Sequence, residues 1–152
     1  MVIPDPFVEM AQTYRLLSEL DPAQLRKLLP LAEEKQFPAG RLIFQEGDTS
    51  SFLHLITEGE VALESARGAG DVRVQTLHAG DAMGWSAITA DSKTPFQARA
   101  VSPVSTIAFS GVRIREACDR DPEMGYALMK RLLDLVTERL DATRLQLARS
   151  AS

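Results

Sequence analysis

The chain has 152 residues, 45% of them hydrophobic and 25% charged, with a formal net charge of −4. That length suits one domain with one core, the composition is that of an ordinary globular protein, and the acidic balance argues against a nucleic-acid or anionic-membrane surface. Cys118 is the only cysteine, which excludes an intrachain disulfide and a cysteine-built zinc cluster; no run reads as a membrane span or a secretory leader, so a reducing cytoplasm is the expected compartment.

Residues 6–20 read as a helix with Phe7, Met10, Tyr14 and Leu17 on one apolar face. Asp21-Pro22-Ala23-Gln24 is a helix start: Asp21 accepts N–H bonds as N-cap, Pro22 suits the first helical position, and Gln24 completes a variant capping box. Leu25, Leu28 and Leu29 form the stripe that follows, and Pro30 marks a boundary or kink because the residue before a proline is pushed out of the α region. From Phe37 the period falls to 2. Turn pairs such as Ala39-Gly40, Gly47-Asp48, Glu58-Gly59 and Ala79-Gly80 separate the runs 41–45, 52–57, 60–64 and 72–77. Val61 and Leu63 alternate with Ala62 and Glu64, and Val72, Val74 and Thr76 with Arg73, Gln75 and Leu77. Short strands at this spacing predict a sandwich or barrel.

Residues 80–101 interrupt the strands. Gly80 and Gly84 break the backbone, Trp85-Ser86-Ala87-Ile88 is long enough for one helical turn, and Thr94-Pro95 turns the chain before residues 96–101 run extended. Two readings stay open. A helical turn between loops can aim free N–H groups at an anion, typically a phosphate; a glycine-rich bend can also simply cross between two sheets. Residues 104–109 supply one more strand.

The last third is helical. Asp121, Pro122 and Glu123 repeat the cap logic at a helix start. Tyr126, Met129, Leu133, Val136, Leu140, Thr143 and Leu147 then recur at alternating spacings of three and four, a heptad seam in which Thr143 is a polar defect. A second stripe, Leu128, Leu132 and Leu135, stops halfway. The first half of the helix is therefore expected to pack on its own β body through that stripe, leaving the seam for the same helix of a second subunit in a homodimer; the alternative is a seam that packs only within its own chain.

The segments Phe37-Pro38-Ala39-Gly40, Ile43-Phe44-Gln45-Glu46-Gly47-Asp48, Gly59-Glu60-Val61-Ala62-Leu63 and Ala79-Gly80-Asp81 with Gly84 together resemble the cyclic nucleotide-binding domain, as in the catabolite activator protein and kinase regulatory subunits. The resemblance covers nearly the whole chain. It implies one α+β domain over residues 1–152: N-terminal helices (1–36), an antiparallel β-roll or double-stranded jelly roll of about eight strands (37–110), and C-terminal helices with the dimerisation helix (111–149). The ligand chemistry departs from the family's. Nucleotide-binding members carry a ribose-binding glutamate after the glycine that matches Gly84, where this chain has Trp85, and a phosphate-binding arginine after the loop, where it has Phe96. The candidate ligand residues are therefore Gly84, Trp85, Ser86, Ala87, Thr89, Phe96 and Gln97, with the N–H groups of Ser86 and Ala87 left for an anion. Arg99 points to the opposite face of its strand from Phe96, and Lys93 reads as a solvated loop residue.

His54 and His78 lack the close spacing of a metal site, Cys118 has no neighbouring base, and no nucleophile, paired-carboxylate or phosphate-loop spacing occurs. The expectation is a non-enzyme without cofactor or metal. As a dimer, it senses an apolar or weakly anionic small molecule facing Trp85 and Phe96; the alternative is a degenerate module that binds no nucleotide and serves in dimerisation or protein docking. The activator-type relatives continue into a helix-turn-helix whereas this sequence stops at Ser152, so DNA binding is not expected of this chain and its signal would pass to a protein partner in trans.

Overall fold

The structure, a computed structural model, describes residues 14–49, 51–65, 72–89 and 93–151. Two four-stranded antiparallel sheets face each other. Strands β1 (Ala32–Phe37), β8 (Val104–Ser110), β3 (Phe52–Glu58) and β6 (Ala82–Met83) form one, in that order. Strands β2 (Leu42–Phe44), β7 (Gln97–Ala100), β4 (Val61–Ser65) and β5 (Val72–Leu77) form the other. Helix α1 (Pro22–Leu28) precedes the strands, a 3₁₀ turn (Trp85–Ile88) lies between β6 and β7, and α2 (Gly111–Arg120) and α3 (Pro122–Ala151) close the chain. This is the expected jelly roll with flanking helices and a long C-terminal helix.

Two apolar clusters hold it together. Ile56, Val61, Leu63, Leu77, Met83 and Val104 fill the space between the sheets. Leu16, Leu17, Leu25, Leu28, Phe109, Ile114, Met124, Leu128 and Leu135 join the helices to the outer face of the β1–β8–β3–β6 sheet. Full burial of one such leucine stabilises the fold by about 1.5–3 kcal/mol. The capping box forms as expected: Gln24 N–H donates to Asp21 Oδ1 at 2.8 Å and Asp21 N–H to Gln24 Oε1 at 3.0 Å. Helix α1 ends at Leu28, and Pro30 sits inside a following 3₁₀ turn (Leu29–Leu31).

In these elements the structure departs from the sequence reading in three places. In the segment read as a first helix, the described part holds a single 3₁₀ turn (Arg15–Leu17) with Tyr14 extended before it, while Phe7 and Met10 lie outside the described residues. Strand pairing begins at Ala32, within the block read as helical, because β1 matches β8 residue for residue from Ala32↔Phe109 to Phe37↔Val104. In β5 the alternation fails: Val72 is 58% exposed and Leu77 is buried. Leu77 and Gln75 lie opposite Val61 and Leu63, the inward residues of β4, so this half of β5 turns inward the set read as its outer one. Leu63 pairs with Gln75 but Glu64 with Arg73, so a bulge at Val74 reverses the face of the residues before it. Further along, the Thr143 hydroxyl donates to the Arg139 carbonyl at 2.9 Å, within its own helix.

Along α3 the second stripe packs as expected, with Leu128 and Leu135 buried and Leu132 against the same cluster. A second flank is tied to the N-terminal turn: Arg15 bonds Glu138, and Arg131 Nε donates to the Arg15 carbonyl at 2.9 Å. The seam is only partly outside, since Met129 packs against that same cluster. Tyr126, Leu133, Leu140 and Leu147 are each more than half exposed, and Met129, Val136 and Thr143 are half-buried.

Candidate ligand pocket

The interruption between β6 and β7 is built by close backbone approach. Gly84 is left-handed (φ 78°), and a Cβ there would meet the Phe52 carbonyl oxygen at 2.5 Å, so only glycine lets the chain leave β6 and start the turn. Within the turn Ala87 N–H donates to the Gly84 carbonyl at 3.0 Å and Thr89 N–H to Ser86 at 3.1 Å. The Ala87 N–H is therefore committed and is not available to an anion, contrary to the sequence reading. At the far end Arg115 Nη1 of α2 donates to the Ala87 and Ile88 carbonyls at 2.7 and 3.2 Å, and the Ala87 carbonyl packs where Gly111 has no side chain. After the loop, Thr94 is buried and exchanges backbone bonds with Gly47 and Asp48 at 2.9 Å each, which fixes the approach of Pro95 and Phe96.

These elements enclose a cavity of about 220 Å³ lined by Phe44, Leu63, Met83, Gly84, Trp85, Ser86, Thr94, Pro95, Phe96, Val136, Arg139, Leu140 and Thr143. Of the candidate ligand residues, Gly84, Trp85, Ser86 and Phe96 come together here. The other three do not. Ala87 is buried against α2, Thr89 is exposed beyond the turn, and Gln97 points to the opposite face of β7, where Gln97 Nε2 donates to Glu64 Oε1 at 2.9 Å. Arg99 shares that face, its Nε donating to the same Glu64 oxygen at 3.1 Å. Lys93 is exposed and its backbone bridges Thr49.

The sequence reading missed Arg139. It comes from α3 into the cavity, places its guanidinium carbon 4.1 Å from the Trp85 ring centroid, and donates from Nη2 to the Ala82 carbonyl at 2.8 Å. Burial pushes its pKa down to about 10, against the pull of Asp81, so it remains charged at neutral pH. Its Nε is buried with no hydrogen-bond partner among the described residues. A signal was present: Arg139 lies three residues after Val136 and four before Thr143, hence on the helix face those residues share.

The histidines lie elsewhere. His54 is buried with Nδ1 3.0 Å from Thr106 Oγ1, and burial, then the Lys35 charge, pushes its pKa down to about 4. His78 is exposed beside Glu60. The half-buried Cys118 thiol has its pKa raised by burial, with Asp119 and Asp121 adding to the shift. Among the described residues no group of three His, Cys, Asp or Glu side chains is placed to hold a metal, and no helix is long and apolar enough to cross a membrane.

A two-sheet roll with a glycine-opened helical turn facing a long C-terminal helix defines a class of effector domain, and the comparisons agree. The sequence profile of the cyclic nucleotide-binding domain matches residues 34–121, and the chain belongs to that family. Among solved structures it is similar to a candidate cyclic nucleotide-binding protein from Geobacter metallireducens GS-15, at 30% identity and TM-score 0.77, covering 92% of this chain and 99% of that one. The catabolite activator protein of Thermus thermophilus shares the fold at 22% identity and TM-score 0.74, over 90% of this chain and 63% of that one. The regulatory subunit of a cAMP-independent protein kinase A from Trypanosoma brucei does so at 16% identity and TM-score 0.73, over 95% of this chain and 50% of that one. No curated protein sequence matches the chain.

Proposed function

We propose that this chain is a non-catalytic regulatory module that senses a small, largely apolar molecule instead of a cyclic nucleotide, and that it works in the cytoplasm as a homodimer, signalling to a protein partner in trans. The observation that carries the reading is that Trp85 and Phe96 both line the cavity, at the positions where the family's ribose-binding glutamate and phosphate-binding arginine are expected. An apolar wall in place of those partners leaves ribose hydroxyls without compensation for lost water and a cyclic phosphate without the arginine that the family supplies after the loop, Arg139 of α3 being the one cation among the described residues that line the cavity. The Trypanosoma brucei relative, described as cAMP-independent, is a precedent for the fold working without that ligand.

Dimerisation through α3 is supported by the four large apolar side chains of the seam that stand exposed, Tyr126, Leu133, Leu140 and Leu147. Val136, Leu140 and Thr143 belong to both the seam and the cavity wall, so a second subunit would lie against the ligand.

Calorimetry with cyclic AMP and cyclic GMP tests the proposal. Truncating one partner of a buried charge pair costs about 2–5 kcal/mol, a factor of roughly thirty to several thousand in affinity. Binding is expected to be millimolar or weaker for both nucleotides, and micromolar binding of either overturns the reading. A protein that takes up no small molecule when purified from its own source and examined by native mass spectrometry would instead be the docking module.

A further inference from the structure

We propose that the ligand is a small apolar monocarboxylic acid, with Arg139 as the residue that holds its carboxylate. This rests on the apolar-pocket reading above and adds the one charged side chain among the described residues that line the pocket. The wall facing the ligand is formed by aromatic and aliphatic side chains, chiefly Phe44, Met83, Trp85, Phe96 and Leu140. Into it projects a single cationic group, the Arg139 guanidinium. Two contacts fix its place: the stack on Trp85 and the bond to the Ala82 carbonyl. They use one ring face and Nη2; Nε is itself buried, with no partner among the described residues. Arg139 lines the cavity as a cation, and a charge set in an apolar wall without a counter-charge is costly, so the site favours an anionic ligand.

The charge points the same way. No carboxylate among the described residues forms an ion pair with Arg139. Asp81 acts on it only through space, and its Oδ2 already accepts the His78 N–H at 2.8 Å. One cation matches one negative charge, such as a single carboxylate, and leaves a dianionic phosphate monoester undercompensated. The size follows from the cavity: at about 220 Å³ it is smaller than the roughly 300–1,000 Å³ of sites for drug-sized molecules. A single aromatic ring or short branched chain bearing one carboxylate meets all three conditions.

The test uses the whole chain and two matched sets of probes: benzoate, phenylacetate and 3-phenylpropanoate, against the corresponding neutral amides. Affinities are read by calorimetry at neutral pH on the wild type and on Arg139→Gln. At least one acid is expected to bind the wild type about tenfold to a hundredfold more tightly than its amide, the range for a hydrogen bond to a charged group. In Arg139→Gln that preference should vanish while amide binding persists. Equal binding of acids and amides by the wild type, a comparison that needs no variant, overturns the assignment of Arg139 and leaves the apolar pocket standing. Failure of every probe to bind the wild type overturns both.

Discussion

Arg139 and Trp85 form a stacked pair, the guanidinium carbon of the one lying 4.1 Å from the ring centroid of the other. The contact joins the middle of α3 to the helical turn and makes Trp85 part of the protein's cohesion as well as part of the pocket wall. Trp85→Ala removes the stack and part of the buried surface, and should lower stability by about 2–3 kcal/mol. Trp85→Phe, which keeps a ring face under the cation, should lose less than half of that. Urea midpoints at unchanged m-value give both numbers, and equal losses in the two variants would show that the stack contributes nothing.

Two glycines with nearly the same backbone separate conformational strain from collision. Gly47 (φ 87°) has open space where a Cβ would go, whereas at Gly84 (φ 78°) the added carbon meets the Phe52 carbonyl. Gly47→Ala should cost about 1 kcal/mol, the usual penalty of a left-handed L-residue. Gly84→Ala should exceed it by at least about 1 kcal/mol, because backbone has to move. Thermal unfolding of the pair checks this; indistinguishable melting temperatures would contradict the close approach.

The dimer is tested best where the seam touches neither core nor cavity. Leu133 and Leu147 are each 65% exposed, so Leu133→Asp or Leu147→Asp leaves the subunit intact but places an unpaired charge in an apolar interface, at a cost of several kcal/mol. Sedimentation should report a dimeric wild type and monomeric, folded variants. A wild type that is already monomeric at tens of micromolar removes the interface.

His54 makes stability depend on pH on the acid side. Its pKa in the folded chain is pushed down to about 4, below the ordinary histidine value. The unfolded chain therefore binds the proton first as pH falls. The neutral-histidine stability is fully present above about pH 6.5 and is lost between there and about pH 4, by roughly 3 kcal/mol. His54→Gln should flatten that slope by close to one proton in denaturation curves recorded across the window. An unchanged slope would mean that His54 is protonated in the folded state.

What was legible in the sequence was what local chemistry decides. Asp21 and Gln24 announce their cap because the two bonds are made within one turn, and Gly40, Gly47, Gly59 and Gly80 announce the bends, each with positive φ. β1 was not legible because Ala32–Phe37 is an edge strand with its polar residues outward, and its pairing with β8 is a long-range event. The displaced face of β5 was hidden for a related reason, since the extra residue at Val74 is defined only relative to β4. In the pocket, Trp85 and Phe96 were readable as substitutions in a recognisable frame. Arg139 was not, because a charged residue on a helix reads as solvated until the element packed against it is known.

The Arg115 bonds to Ala87 and Ile88 have a mechanical consequence. They clamp the C-terminal end of the pocket turn to α2, and α2 passes into α3 at Asp121 with Gly125 pressed against Cys118. α3 is held to the same body by Leu128 and Leu135 and by the Arg139 bond to Ala82, so the turn, α2 and the first half of α3 are braced as one unit. Residues 140–151 extend about 18 Å past that last bond at about 1.5 Å per residue; a shift of the turn therefore reaches the far end of α3 through a stiff strut.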